Sequence, residues 1–418
     1  MSSTDLDTID FFHAGSLYQN PYPYYESLRA HGPAWREPHQ GVVMVTGYQE
    51  AMAVYNDTAT FSSCNAMVGP FAEFPVPLEG DDISGIIEEY RDDLPFGDQL
   101  PTFDPPKHTA QRALLLRLIT PKRLKENEEF MWRLADRQIG EFLARGECEF
   151  VGDYAVPFTM LVIADLLGVP EVDHGTFRAE LGAGSGSVQA HKPLEFLYDR
   201  FTAYIEDRRR EPRDDVMTIL ATTTFPDGTL PDIHDVMLIA SNLFAAGQET
   251  TARLLGTALY TIAERPELQQ LLRDERGRIP GFIEEMVRLE SPIQGDFRLS
   301  RVPTKVGDLE IGAGTTVMLL NGAANRDPRE FENPDTLQLD RVNGRHHLGF
   351  GFGIHTCVGA PLARAEARVS LERILDAMAD IRISTAAHGP AGDRHFEYTP
   401  TFMLRGFEQL HLEFTPIA

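Results

Sequence analysis

The longest helical pattern in the chain runs from Asp232 to Arg265. Its centre is apolar on every side, which is typical of a helix that crosses the core of a protein. Helical patterns also fill residues 109–211, with an interruption at the glycine-rich residues 182–186 that predicts a hinge or lid connection. Alternating apolar positions typical of strands form short runs near residues 42–46, 305–309, 315–320, 402 and 411. The pattern predicts a mainly α fold with small β-sheets.

One long segment follows none of these patterns. Residues 67–102 are rich in proline, glycine and acidic residues, and they contain only a short helical pattern from Ile83 to Tyr90. A loop of this length within a compact domain is usually functional or mobile. We therefore expect this segment to belong to a functional site.

Charge and cysteine content exclude several classes of protein. Lys and Arg total 38 against 63 Asp and Glu, which gives a net charge of −25 over 418 residues. Such acidity argues against nucleic acid or an anionic membrane as a partner. The longest apolar stretch, Val236 to Gly247, is interrupted by polar residues and is too short to span a bilayer. Three widely spaced cysteines give no disulfide framework and fit a reducing cytoplasm.

A glycine-rich loop with one cysteine, residues 350–359, precedes an amphipathic stretch that begins at Ala360. A sulfur at this place lies near a helix N-terminus, where the helix dipole and the loop N–H groups favour the thiolate. The glycines allow the backbone to approach a large planar partner, on which Phe350 can stack. This combination suits an axial haem ligand better than a hydrolase nucleophile, although a cysteine hydrolase with His355 is an alternative. Cys64 and Cys148 are expected to be ordinary buried cysteines.

The centre of the long helix carries a second motif, Ala246-Gly-Gln-Glu-Thr-Thr251. A glycine inside a helix costs about 1 kcal/mol relative to alanine. Threonine hydroxyls bond back to the preceding turn and bend a helix. A bulge here would make room for a diatomic ligand or water, whereas the ordinary alternative is a packing glycine on a solvated helix face.

Two pairs of charged residues also allow an ordinary and a functional interpretation. Glu285 and Arg288 lie on one helix face, and most such pairs are surface ion pairs of little energetic value. His108 and Arg112 share one face of a helix that begins after two prolines. Arginine binds carboxylates through two hydrogen bonds, so this second pair is a candidate for binding an anionic group.

The spacing Phe350-x-x-Gly353-x-His355-x-Cys357-x-Gly359 resembles the haem-binding signature of the cytochrome P450 monooxygenases. The resemblance extends over nearly the whole chain. It implies a cytochrome P450 fold as a single domain over residues 1–418, with haem b (iron protoporphyrin IX) between the long central helix and the cysteine loop. Cys357 is implied to ligate the iron. The residues implied to bind the cofactor are His108, Arg112, Arg298, Phe350, Gly351, His355, Cys357 and Gly359, with Asp296 as a further candidate.

The same resemblance assigns roles to other motifs. Glu249 and Thr250 correspond to the acid–alcohol pair that delivers protons during dioxygen activation. Glu285, Arg288 and Arg341 correspond to a buried charge cluster with a structural role. The stretch from Leu299 to Val302 departs from the commoner family pattern, which puts local strand detail in doubt.

These observations predict a monooxygenase that inserts one oxygen atom from O2 into a lipophilic small molecule such as a terpenoid, steroid or aromatic. Electrons are expected from a ferredoxin-type or flavodoxin-type partner, and the enzyme is expected to be monomeric and cytoplasmic. The alternatives are a peroxide-driven peroxygenase, against which the Glu249–Thr250 pair argues, and a non-catalytic haem-binding sensor or carrier. By their position in the family that the chain resembles, the residues predicted to line the substrate pocket are Met67, Phe71, Phe74, Leu243, Phe244, Gly247, Ile293, Phe402 and Met403. A positive patch for an acidic redox partner is predicted at Arg112, Arg117, Arg345, His346 and Arg364.

Overall fold

The computed structural model describes residues 6–181, 191–225 and 227–417. The predicted interruption at residues 182–186 lies outside the described residues. The α-helices of the described part are α1 Gly15–Gln19, α2 Tyr22–Ala30, α3 Tyr48–Asn56, α4 Ser84–Tyr90, α5 Lys107–Leu116, α6 Pro121–Phe142, α7 Val156–Leu167, α8 His174–Leu181, α9 His191–Arg210, α10 Val216–Thr222, α11 Ile233–Ala263, α12 Pro266–Asp274, α13 Ile279–Glu290, α14 Asn321–Ala324, α15 Ala360–Ala377 and α16 Thr385–His388.

The strands are short by comparison. They are β1 Ala34–Arg36, β2 Val43–Val45, β3 Phe61–Ser62, β4 Glu147–Glu149, β5 Asp296–Ser300, β6 Thr304–Val306, β7 Leu309–Ile311, β8 Thr316–Leu319, β9 Met378–Ile383 and β10 His411–Pro416. The predicted class, mainly α with small β-sheets, is confirmed. The contacts divide the chain into two compact units, and a single domain over residues 1–418 stays a prediction.

The first unit contains the described parts of residues 1–109, 287–357 and 400–405. Its main sheet has the strand order β1-β2-β8-β5-β3, with β2 and β8 parallel and the other pairs antiparallel. Because successive side chains point to opposite faces of a strand, Met44 and Phe297 belong to one apolar cluster and Val43 to the other. Asp296 and Arg298 of β5 therefore lie on the face opposite to Phe297.

The second unit contains the described parts of residues 110–286, 358–399 and 406–418. It includes most of the long helices and the small sheet β4-β10-β9. Helix α11 has 31 residues and is about 46 Å long. Pro266 follows soon after its end and begins α12, because proline has no N–H to continue α11 but fits the first turn of a new helix. Within the described residues, no helix combines the length and the apolar character needed to cross a membrane.

Candidate active site

The cysteine loop is closed by its own backbone. The N–H of Cys357 donates to the Phe350 carbonyl at 2.8 Å. Gly351 and Gly353 have φ angles of +66° and +69°, in the left-handed region that side chains with a Cβ rarely adopt. A Cβ on Gly353 would lie 2.8 Å from the Tyr55 carbonyl oxygen. The glycines thus allow a tight loop that ends at Cys357, three residues before α15.

The three cysteines differ in what their sulfurs can do. Cys64 and Cys148 are buried, whereas Cys357 is exposed. Burial raises the pKa of Cys64 to about 11 and also raises the pKa of Cys148, so both thiols are held neutral. Cys357 stands before the N-terminus of an 18-residue helix, whose dipole favours a thiolate. It is the cysteine whose surroundings suit a metal ligand.

Two histidines from different parts of the chain meet beside this loop. The ring centroids of His108 and His355 are 4.1 Å apart. His108 is 2% exposed, and the His355 ring nitrogen Nε2 lies 3.0 Å from the Ser63 hydroxyl. Their placement gives a pair of ring donors suited to an anionic group, such as a propionate.

Arg298, on β5, belongs to a second cluster of polar side chains beside the cysteine loop. Its guanidinium carbon is 5.2 Å from the centre of the Tyr55 ring, and its Nη1 donates to the Phe297 carbonyl at 2.6 Å. The Tyr55 hydroxyl donates to Asp296 and also lies within hydrogen-bonding distance of Asn321. Burial, together with the Asp296 carboxylate, raises the pKa of Tyr55 well above its ordinary value.

A Cβ added to Gly351 would lie 3.8 Å from an Asp296 carboxylate oxygen. The cysteine loop therefore runs close to this group. The first unit thus contains seven of the cofactor residues predicted from the sequence, namely His108, Asp296, Arg298, Phe350, Gly351, His355 and Cys357. Arg112 is half-buried on α5 in the second unit.

Asp104 organises a buried network that the sequence analysis missed. Its Oδ2 accepts hydrogen bonds from Arg91 at 2.8 Å and Arg301 at 2.7 Å. The same oxygen accepts from the Ser62 hydroxyl, and Oδ1 accepts from the backbone N–H of Ser63 at 2.9 Å. Since the Ser63 hydroxyl contacts His355, this network supports a predicted cofactor residue. The signal in the sequence was Arg301, which stands in the stretch that departs from the family pattern.

Helix α11 carries the predicted acid–alcohol pair in the second unit. The Thr250 hydroxyl donates to the Ala246 carbonyl at 2.9 Å, the back-bond expected of threonine in a helix. Glu249 forms an ion pair with Arg253 one turn further on, and Arg253 also donates to Thr399. The side chain of Glu249 is 31% exposed, whereas that of Arg253 is 6% exposed. The carboxylate therefore has access to solvent while it is held by a buried cation.

Comparison with known proteins identifies the family. A sequence profile described as Cytochrome P450 matches residues 188–378. Cytochrome P450 144 of Mycobacterium tuberculosis is 34% identical over 422 residues, which cover 97% of this chain and 91% of the relative. The chain belongs to the cytochrome P450 family.

Further relatives extend this result to the whole chain and to the enzyme class. The cytochrome P450 monooxygenase PikC of Streptomyces venezuelae is 29% identical over 400 residues, covering 94% of this chain and 90% of the relative. The substrate-free structure of cytochrome P450 CYP150A6 from Mycobacterium marinum is 54% identical with a TM-score of 0.95, covering 99% of this chain and all of that chain. The predicted fold and the assignment as a cytochrome P450 monooxygenase are confirmed. The exposed thiol at a helix N-terminus and the polar groups around it fit the haem-thiolate cofactor of the family.

The predicted pocket residues on α11 of this P450 pack against other helices, and their place in a substrate pocket stays a prediction. Leu243 and Phe244 are buried, and Phe244 packs against Phe177 and Phe201 at 5.4 and 6.1 Å between ring centroids. Gly247 faces another helix, because a Cβ there would contact the Ile163 side chain at 3.4 Å. These three residues therefore pack within the second unit.

A different face of α11 remains accessible. Ala245 and Ala246 are exposed and Asn242 is half-buried, although the helix on both sides of this segment is buried. Residues three, four, seven and eight apart share one face of a helix, so these three residues lie on the same face as Glu249 and Thr250. Apolar character favoured Leu243 and Phe244, whereas the helical period counted from Glu249 would have identified the accessible face.

The remaining predicted pocket residues of this P450 lie in the first unit. Met67 and Phe71 are 41% and 42% exposed. Phe402 and Met403 pack on the apolar cluster that contains Phe297. Two more predicted pocket residues are Phe74, which packs on the cluster around Ile83, and Ile293, which forms an isolated β-bridge with Leu404.

The predicted charge cluster consists largely of buried residues. Glu285 is 1% exposed and Arg288 is fully buried. Arg288 donates to the Asn325 and Pro334 carbonyls at 2.9 and 2.6 Å. Arg288 and Arg341 also donate to the same Thr336 carbonyl, at 3.3 and 3.0 Å. The two arginines thus converge on the segment that precedes the cysteine loop.

The predicted redox patch is more neutral than its arginine content suggests. Arg364 forms two hydrogen bonds with Glu284, at 2.7 and 2.9 Å. Nδ1 of His346 lies 2.8 Å from Glu330. Arg117 and Arg345 are exposed. The positive docking surface stays a prediction.

Proposed function

We propose that this P450 binds haem b and oxidises a neutral, mainly hydrocarbon substrate with electrons from a ferredoxin-type partner. When bound, the haem supplies the chemistry of dioxygen activation, in which a thiolate ligand favours O–O cleavage. Cys357 provides this thiolate, and His108, Arg112, Arg298 and His355 hold the propionates through charge-assisted hydrogen bonds.

Glu249 and Thr250 are the proposed proton carriers. The Thr250 hydroxyl, held by the Ala246 carbonyl, positions water on the accessible face of α11. Glu249 takes up a proton at its carboxylate from solvent and passes it towards this hydroxyl. Because Arg253 binds the same carboxylate, Glu249 must turn away from Arg253 for each transfer. Arg253 therefore sets how readily the acid is available.

The observation that carries the substrate class is the accessible face of α11. Two alanines and one amide, Asn242, form this face beside the proton carriers. The predicted lining residues include no lysine or arginine, so nothing in them would bind a phosphate or a strongly anionic group. A Bacillus megaterium cytochrome P450, 25% and 26% identical to this chain in two solved structures, has been solved with corticosterone and with testosterone. We propose a substrate of this class, with one polar group that hydrogen-bonds to Asn242.

A titration of the purified holoenzyme tests this substrate class. Testosterone, limonene and biphenyl are the lipophilic probes, and glucose 6-phosphate is the charged control. The expected result is a saturable shift of the haem spin state with at least one lipophilic probe and none with the phosphate. Saturable shifts with the phosphate alone would overturn the proposal. Asn242→Ala should weaken binding of testosterone more than binding of limonene, because only testosterone carries polar groups.

The proton-delivery role is tested at Thr250. Thr250→Ala should still bind haem and substrate, but a larger share of the reducing equivalents should appear as hydrogen peroxide. Thr261→Ala is the matched control, because Thr261 makes the same bond to the carbonyl one turn earlier, at 2.9 Å. Unchanged coupling of NADPH consumption to product in Thr250→Ala would contradict the assignment.

The electron partner is tested through the exposed arginines. Arg117→Glu should slow reduction by a plant-type ferredoxin at low salt, and the difference should shrink as salt screens the charges. Arg137→Glu, a charge reversal at an exposed residue of α6, is the control. Arg364→Glu is unsuitable, because it would place a second carboxylate against the buried Glu284, which binds Arg364. Equal effects of Arg117→Glu and Arg137→Glu would remove the docking patch from the proposal.

A further inference from the structure

Phe12, near the N-terminus, is the centre of four aromatic rings that we call the aromatic wall: Phe12, Phe71, Phe297 and Phe402. The Phe12 ring lies edge-on to Phe402 at 5.0 Å and to Phe71 at 5.8 Å between centroids. It is stacked on Phe297 at 6.5 Å. Phe12 therefore contacts all the other rings of the wall, in arrangements that aromatic pairs prefer.

Two members of the aromatic wall are residues that the sequence assigns to the substrate pocket. Phe71 belongs to the long loop of residues 67–102, and Phe402 belongs to the turn near the C-terminus. These two rings are 6.3 Å apart. Phe12 itself belongs to neither segment, and it is 3% exposed.

The loop is anchored on the aromatic wall at one end. Gly69 has a φ angle of +57°, and a Cβ at this position would lie 2.6 Å from the Phe297 ring. The backbone of the turn Gly69–Phe71 therefore rests directly on Phe297. Phe71, at the other end of the same turn, is 42% exposed and rests on Phe12, Phe402 and the His13 ring.

This arrangement distinguishes Phe12 from an ordinary core residue. Phe297 is fixed within a strand of the main sheet, whereas Phe71 ends the single 3-10 turn Gly69–Phe71 and Phe402 lies outside the helices and strands. The position of these two rings depends on the partners against which they pack. Phe12 is the buried partner that both share with Phe297, so its removal should loosen both rings together.

We propose that Phe12 is a positioning residue for the substrate site, and that it sets the wall which bulky ligands meet. The inference rests on the proposed function, because it takes Phe71 and Phe402 to line the pocket. It adds the N-terminal segment to the elements that determine which molecules bind.

The experiment uses two azoles that ligate haem iron, so it does not depend on knowing the substrate. Imidazole is small, whereas clotrimazole carries three further aromatic rings on its imidazole nitrogen. Dissociation constants for both come from the spectral shift of the holoenzyme. Phe12→Ala should raise the Kd of clotrimazole by about tenfold, the effect of losing one or two aromatic contacts. The Kd of imidazole should change by less than about twofold, since imidazole makes few contacts beyond the iron.

Phe61→Ala provides the matched control. Phe61 is 4% exposed in the apolar cluster that contains Val43. Loss of its side chain therefore creates a comparable cavity away from the aromatic wall. The ratio of the two azole Kd values should be unchanged in this variant. Equal changes of the ratio in Phe12→Ala and Phe61→Ala would show a general loss of stability and overturn the inference.

A double-mutant cycle separates positioning from packing. Phe12→Leu keeps most of the volume and is the variant to use if Phe12→Ala does not yield holoenzyme. The effect of the Phe12 substitution on clotrimazole binding should be largely lost in a Phe71→Ala background, because the effects of residues that act through one another are not additive. Full additivity would contradict the inference. Absence of the red-shifted ferrous–CO absorption in the wild type and no azole shift would instead refute the haem-thiolate function itself.

Discussion

Asp104 in the first unit and Glu366 in the second are both buried carboxyl groups, and their surroundings differ sharply. Asp104 is 6% exposed and receives hydrogen bonds from two guanidinium groups, one hydroxyl and one backbone N–H. Glu366, on α15, is 1% exposed. From the described residues, neither of its oxygens receives a hydrogen bond of ordinary geometry.

The cations nearby decide how each acid behaves. Burial opposes the charge of Arg91, but the hydrogen bonds that Arg91 donates to Glu88 and Asp104 outweigh this effect and raise the pKa of Arg91. Burial raises the pKa of Glu366 well above its ordinary value, and the Thr251 hydroxyl offsets part of that rise. Asp104 is thus an ion-paired carboxylate that supports Ser63 and His355, whereas burial disfavours the charged form of Glu366. The same chemical group serves as scaffold or as titratable site according to its partners.

The largest expected effect is at Asp104. Asp104→Asn removes the counter-charge of two buried arginines and should lower the free energy of unfolding by about 3–5 kcal/mol. Urea denaturation of the holoenzyme measures this change. Glu88→Gln is the control, because Glu88 is also bonded to Arg91 but has a side chain that is 60% exposed, and its loss should cost about 1 kcal/mol or less. Similar losses of unfolding free energy in both variants would show that the Asp104 network stabilises the protein no more than an exposed ion pair does.

Glu366 should make stability depend on pH. Its pKa in the folded state is raised above the ordinary 4.5, so the folded protein keeps a proton that the unfolded chain releases. Rising pH therefore favours unfolding. The stabilisation is complete below about pH 4.5, falls as pH rises towards the folded pKa and is constant above it.

Glu366→Gln tests this pH dependence. The variant should match the wild type within about 1 kcal/mol near pH 5, because glutamine resembles a protonated glutamate. It should become the more stable of the two as pH rises. Parallel pH profiles of the free energy of unfolding in the two proteins would mean that Glu366 does not titrate as inferred.

A smaller effect is expected on haem retention, which the Asp104 network should influence through Ser63 and His355. Ser63→Ala removes the hydroxyl beside His355 and leaves the backbone bond to Asp104 intact. Transfer of haem to apomyoglobin should become roughly three- to tenfold faster, the effect of losing one hydrogen bond. Ser62→Ala is the control, because the Ser62 hydroxyl donates to Asp104 and the His355 contact of Ser63 is kept. Haem transfer from this variant should stay at the wild-type rate. Equal rates of haem transfer in the two variants would show that the Ser63 hydroxyl does not support haem binding through His355.

The smallest effect is expected at Thr251. Thr251→Val removes the hydroxyl that lowers the pKa of Glu366, so the pH window over which stability falls should extend upward. The change in the free energy of unfolding should be about 1 kcal/mol or less. Thr257→Val, on the same helix with its hydroxyl bonded to backbone carbonyls, should leave the window in place. A downward movement of the window in Thr251→Val would reverse the assigned role of the hydroxyl.

Local motifs were predictable because their chemistry depends on neighbours in sequence. The cysteine loop needs glycines with positive φ and a helix directly after it, and the sequence of residues 350–377 indicates both. The extent of α11 follows in the same way from a helical pattern that ends before Pro266. By contrast, the choice of Leu243 and Phe244 as pocket residues followed apolar character alone, whereas the packing of Phe244 against Phe177 and Phe201 joins residues that are distant along the chain.

The sequence by itself determined the fold class, the P450 family and the local positions of Cys357, Glu249 and Thr250. Only the tertiary structure decided that Arg301 pairs with Asp104, that Arg364 is bound to Glu284, and that Glu366 is buried with no cation bound to it among the described residues. The physical reason is distance along the chain. Arg301 and Asp104 are almost 200 residues apart, and no local pattern records which charges will share a low-dielectric interior. Burial and ion pairing are properties of the packed molecule, and they set the charge state of each acid.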